Sequence, residues 1–114
     1  MHGIIDIERT IGNADSEFPA LYRMFGGYFH QDWQDEHATA QAAAAAFSRE
    51  AQKTTVNAAL AEIVSLQQMQ LPDDELGRLL TEGFDCNYRP RRDGLSNAAW
   101  LELLAATLQT PQGS

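Results

Sequence analysis

The sequence predicts an all-α protein, a single compact domain of about five helices. Three observations point there. Apolar residues recur at helical spacing in five separate stretches. Capping residues and prolines stand at the starts of those stretches, where helix N–H groups lack partners. No segment beyond Ile4 to Ile7 alternates as a half-buried strand would. The chain has 114 residues, 44% hydrophobic and 21% charged. That is ordinary globular composition, and it is too short for a barrel or a two-domain nucleotide enzyme.

Residues 1–15 read as an N-terminal extension that packs loosely or pairs locally. Ile4, Ile5, Ile7 and Ile11 fit a short strand or a helical turn, and Gly12-Asn13 breaks whatever precedes it. The helical domain is expected over 16–110, with 111–114 as a polar tail. Its first helix is expected at 18–30, opened by Phe18-Pro19, with Asp15, Ser16 and Glu17 favourable to the helix dipole. Phe18, Leu21, Tyr22, Phe25 and Phe29 then make one aromatic core stripe. Gly26-Gly27 interrupts it, which calls either for a close helical neighbour or for a fraying end.

Residues 30–38 are a polar connector carrying Trp33. Thr39 caps an alanine-rich helix over 39–52, whose small residues permit close packing. Thr54 or Thr55 caps a helix over 55–69, with Val56, Ala59, Leu60, Ile63 and Leu66 inward. Pro72 opens a helix over 72–83, with Asp73, Asp74 and Glu75 in its first turn and Leu76, Leu79, Leu80 and Phe84 inward. A loop follows at 85–95. Ser96 caps the last helix over 96–109, with Trp100, Leu101, Leu104 and Leu108 facing the core.

Sixteen Asp and Glu against eight Lys and Arg give a net charge of −8. This argues against sequence-independent nucleic-acid binding and against adhesion to an anionic membrane, both of which need basic surface. It suits a basic partner. The single cysteine, Cys86, excludes a disulfide within the chain and a multi-thiolate zinc site. The longest apolar run, Ala42 to Phe47, falls far short of the ~20 residues of a membrane span. The N-terminus lacks a basic start followed by an apolar core. A cytoplasmic monomer is the expectation.

No catalytic constellation stands out. His30, Asp32, Asp35, Glu36 and His37 are metal-ligand types, but their spacing matches no site that would bring several to one ion. Asp32 and Glu36 share a face only if the connector is helical. Cys86 has no histidine near it in sequence and reads as a small buried hydrophobe. Phosphate-binding glycine loops are absent. Arg89, Arg91 and Arg92 form a basic triplet expected to pair with Asp85 and Asp93.

Phe18 to Trp33, and above all Gly27-Tyr28-Phe29-His30-Gln31-Asp32-Trp33, resembles immunity proteins of bacterial contact-dependent growth inhibition systems. An alanine-containing helix, an acidic start at Asp73 to Leu76, a loop with Tyr88 and Pro90 and a terminal Trp100-Leu101 helix extend the likeness over 18–108. The resemblance implies a small helical protein that is not an enzyme and needs no cofactor. It would bind a cognate toxin C-terminal domain, often a nuclease, in the cytoplasm and block it. Tyr28, Phe29 and Trp33 then suit core or hinge positions, and His30, Gln31 and Asp32 suit fixing a turn through side-chain hydrogen bonds.

A nuclease carries a positive cleft, which an acidic inhibitor approaches fast. Two acidic surfaces qualify for toxin binding: Asp32, Asp35 and Glu36 on the connector, and Asp73, Asp74 and Glu75 on the fourth helix. Inhibition at the active site and away from it both fit. A competing class is an acidic helical adaptor or regulator of another basic protein. A third is a small enzyme assembled from His30, Asp32 and His37.

Overall fold

In the computed structural model, residues 7–109 are described, and among them every regular element is helical. The elements are α1 Ile7–Gly12, α2 Ala14–Glu17, α3 Pro19–Tyr28, α4 Trp33–Glu36, α5 Ala40–Glu50, α6 Lys53–Gln68, α7 Asp73–Arg78 and α8 Asn97–Gln109. A π-helical turn, Leu79–Gly83, continues α7, and a 3-10 turn, Pro90–Asp93, precedes α8. The all-α expectation holds. The count does not, because three short helices, α1, α2 and α4, lie in stretches too brief to show periodicity. Ile4 and Ile5 and the tail at 111–114 lie outside the described residues. Ile7 and Ile11 belong to α1, not to a strand, and pack against the core, while Ala14 in α2 is part of it.

The long helices follow their apolar spacing. Helix α3 buries Leu21, Met24 and Phe25 and packs on α6; α5 and α6 each pack on α8. Glu62, late in α6, reaches the start of α3, and Tyr28, at the end of α3, reaches Glu50 just before α6. The two helices therefore run antiparallel. Rings link the elements at the centre: Phe84 lies 5.9 Å from Phe18 and 5.2 Å from Phe25, Phe29 5.4 Å from Trp100, and Tyr88 5.0 Å from Trp100. Such ring pairs add stabilisation beyond buried area alone.

Thr39 caps α5 as expected, accepting from Ala42 N–H at 3.0 Å, and Ser96 caps α8, accepting from Ala99 N–H at 3.0 Å. Two local expectations fail, and at Gly26-Gly27 the helix end is the alternative that holds. Thr54 and Thr55 lie inside the first turn of α6, whose flanking Gln52 makes no side-chain cap. Tyr22 is 41% exposed, because the stripe's inward direction is completed by Met24. A Cβ at Gly26 or Gly27 would meet nothing within 4 Å, so no neighbouring helix requires glycine there, and both sit in the last turn of α3.

Two helix starts are capped from a distance. Asp15, Ser16 and Glu17 form no cap for α3, since Ala14–Glu17 is itself helical. Instead the Glu62 carboxylate accepts from Ala20 N–H at 3.2 Å and Leu21 N–H at 2.9 Å. At α8, the Asp73 carboxylate accepts from Asn97 N–H at 3.3 Å and Ala98 N–H at 3.1 Å. The Asn97 amide also donates to Asp73 Oδ2 at 3.0 Å and to Asp73 O at 3.1 Å. Gly77 makes room for this arrangement, because a Cβ there would lie 2.8 Å from Asn97 Nδ2. Gly77→Ala is expected to destabilise the fold by about 1–3 kcal/mol through overpacking, read as a lower urea midpoint with unchanged m.

Candidate functional site

The connector expected at 30–38 is more ordered than a polar loop. Phe29 and Trp33 are buried and their rings lie 5.8 Å apart. Between them the chain turns around His30. Its Nδ1 accepts from Asp32 N–H at 3.0 Å, and its Nε2 lies 3.3 Å from Glu36 Oε1. One tautomer, with the proton on Nε2, satisfies both contacts. Residues 33–36 then form α4, so Asp35 and Glu36 project from a helical turn whose inward residue is Trp33.

Tyr28 stacks on His37 with ring centres 5.9 Å apart, and its hydroxyl donates to Glu50 at 2.6 Å. Burial, then the hydrogen bond to Glu50, push the Tyr28 phenol up to about 12. Gln31 is exposed at the turn. Asp32, Asp35 and Glu36 are all exposed, the last tied to His30.

The second acidic group is divided. Asp73 holds the start of α8, whereas Asp74 is exposed and Glu75 half-buried on α7. No three His, Cys, Asp or Glu side chains converge as metal ligands among the described residues.

The loop after the π-helical turn packs against the connector. Asn87 N–H donates to Phe29 O at 2.9 Å, and Tyr88 lies 5.6 Å from Trp33, edge to face. The Tyr88 hydroxyl donates to Asp93 Oδ2 at 2.7 Å, closing the 3-10 turn, which ends at Gly94 with φ +76°. Burial, then this bond, raise the Tyr88 phenol well above its ordinary range.

The expected pairing of the basic triplet does not form. Among the described residues neither Asp85 nor Asp93 ion-pairs with Arg89, Arg91 or Arg92. Asp93 is taken by Tyr88, and Arg89 donates to Cys86 O at 3.1 Å. Cys86 is 2% exposed, and burial pushes its thiol up to about 12. In the folded protein it is expected to resist thiol reagents at pH 8 and to react only on unfolding; stoichiometric labelling within seconds would contradict this.

Two clefts flank the Tyr88–Asp93 pair and the start of α5. One, of about 200 Å³, is walled by Trp100, Leu103 and Leu104 of α8, with Ala44, Leu95 and Asp93 opposite. The other, of about 110 Å³, runs from Asp93 and Arg92 to Trp33 and Gln34 of α4. Thr39, Ala40, Tyr88 and Asp93 line both, so the two clefts lie on either side of these four residues. Sequence reading missed these clefts: their walls come from α4, α5, α8 and the 3-10 turn, and no local pattern marks them. Leu103, 50% exposed, was their one visible sign, as a bulky apolar residue outside the inward face of α8.

Residues 17–108 match the family described as CdiI immunity protein. A solved structure described as the CdiA-CT/CdiI complex from Y. kristensenii 33638 contains a chain 28% identical to this one. The match has a TM-score of 0.78 and covers 82% of this chain and 99% of that one. No curated protein matches.

Proposed function

We infer the role of this chain from one premise: it belongs to the CdiI immunity protein family, which matches it over residues 17–108. It is thus an immunity protein that neutralises a toxin. We propose that its target is the C-terminal domain of a cognate contact-dependent toxin, that this domain is a basic nuclease, and that binding blocks its active or substrate-binding site in the cytoplasm. The observation that carries the partner is the likeness to a protein solved as a CdiA-CT/CdiI complex, sustained over 99% of that chain. The net charge of −8 supports a basic target, since opposite fields speed encounter and compete with a phosphate backbone.

The proposed first contact is the face with Asp32, Asp35 and Glu36, exposed around α4. Asp74 and Glu75 are the comparison surface, and Asp73 is spared because it holds α8. Co-purification with the toxin domain from the same operon, and protection of cells expressing that domain, test the pairing. Failure of both would overturn it.

Neutralising Asp32, Asp35 and Glu36 together as Asn, Asn and Gln is expected to slow association by roughly tenfold at low salt and to flatten its salt dependence. Stopped-flow mixing as the Debye length falls from about 30 to 8 Å checks it. Rates unchanged by the triple substitution and by salt would exclude steering from this face.

A further inference from the structure

We propose that His30 is a proton-sensitive latch on the acidic face around α4, closed as a neutral imidazole and opened when the ring takes a second proton. The binding half of the proposal rests on the reading above, in which that face meets a basic toxin domain. The latch itself rests on geometry. The ring makes two contacts that differ in kind. Its Nδ1 accepts from Asp32 N–H at 3.0 Å. Its Nε2 faces Glu36 Oε1 at 3.3 Å, and the proton carried there leaves Nδ1 free to accept. One ring thus ties the backbone at Asp32 to the side chain that ends α4.

A second proton goes to Nδ1. Two N–H groups then face each other, and the Asp32 amide loses the one acceptor it has among the described residues. The contact with Glu36 behaves oppositely, because it gains charge and survives. The protonated ring stays with Glu36 and lets go of Asp32. Charge acts in the same direction. An imidazolium offsets one of the carboxylates of Asp32, Asp35 and Glu36, so a basic partner is attracted less.

Other ionisable groups surround this turn. His37 follows α4 and stacks on Tyr28, whose hydroxyl is bonded to Glu50. The 84–89 loop packs on the connector through Asn87 and brings Asp85 and Arg89, the latter donating to Cys86 O at 3.1 Å. Among the described residues, Glu36 is the one carboxylate within 4.0 Å of the His30 ring. The complex favours the neutral ring. Affinity is therefore full above the range in which imidazole titrates and is lost as pH falls through it.

Two measurements decide the matter, the first on the free protein. Nitrogen shifts of the His30 ring at pH 8 are expected to place its proton on Nε2. Protection of the Asp32 amide from exchange, corrected for its intrinsic rate, is expected to fall about threefold or more as the ring titrates between pH 8 and 5. A proton on Nδ1 at pH 8, or protection constant through the titration, would overturn the latch. This measurement uses the unsubstituted chain, so it decides the latch even where a variant folds poorly.

The second is titration with the toxin domain from the same operon at pH 7.5 and 5.5. His30→Asn sets an amide oxygen near the place of Nδ1 and takes up no proton in this range. The parent is expected to lose roughly tenfold more affinity on acidification than His30→Asn, whose remaining loss reports His37 and the toxin's own groups. His30→Gln keeps a donor for Glu36 but sets no acceptor at Nδ1, and is expected to bind roughly fivefold more weakly than the parent at pH 7.5. Equal pH dependence of the parent and His30→Asn, or parental affinity in His30→Gln at pH 7.5, would overturn the link from latch to binding while the immunity reading stands. Absence of any complex with the unsubstituted chain would overturn the family-based pairing, and the link to binding with it.

Discussion

Trp33→Ala is expected to destabilise the protein by about 3–5 kcal/mol. The ring is 6% exposed and lies between Phe29 at 5.8 Å and Tyr88 at 5.6 Å. Its removal opens a cavity where the connector, the 84–89 loop and the start of α5 meet, walled in part by the Phe29 and Tyr88 rings. A domain of this size should lose roughly 12 °C or more in melting temperature. Trp33→Phe should recover part of that loss. Thermal unfolding followed by circular dichroism checks it, with toxin binding measured below the transition. A variant that melts like the parent yet no longer binds would reassign Trp33 from packing to contact.

Asp73→Ala is expected to come next, at about 2–4 kcal/mol. Two N–H groups at the start of α8 lose their acceptor, and the buried Asn97 amide loses its side-chain partner. Losing a cap costs about 1 kcal/mol, and leaving one Asn97 amide hydrogen without its acceptor, while the other keeps Asp73 O, adds about 1–3. Asp73→Asn keeps an oxygen acceptor and should cost less than half as much. Urea unfolding of the pair separates them, and equal stability of Asp73→Ala and the parent would show that water replaces the carboxylate. The result also bears on partner studies, because a loss of toxin binding in Asp73→Ala reports on the fold before it reports on contact.

The five long helices were legible because their signals are local. Phe25 and Phe29, Ile63 and Leu66, Leu101 and Leu104 fall on one side at helical spacing, and Thr39 and Ser96 cap the residues just beyond them. The short helices carry too few turns to show a period. The caps supplied by Glu62 and Asp73 come from 41 and 24 residues away, so nothing near Leu21 or Asn97 announces them. The basic triplet was misread for a related reason. Asp93 stands next to Arg92 in sequence, yet its carboxylate is claimed by Tyr88 once the turn closes. The acidic residues themselves were plain in the sequence, but whether each faces solvent or another helix was not. Asp73 and Asp74 are adjacent and differ entirely in this respect.

The long-distance cap on α3 has a consequence for the order in which the chain acquires structure. The first turn of α3 gains its acceptor only when Glu62 has arrived on α6. A peptide spanning 18–30 lacks that residue and carries two glycines near its end, so alone it should be largely unfolded, as short helices are without tertiary support. The start of α8 waits on Asp73 in the same way. Helices that complete one another's ends cannot form independently, so denaturation should be all-or-none rather than stepwise, with far-ultraviolet ellipticity and tryptophan fluorescence tracing one transition.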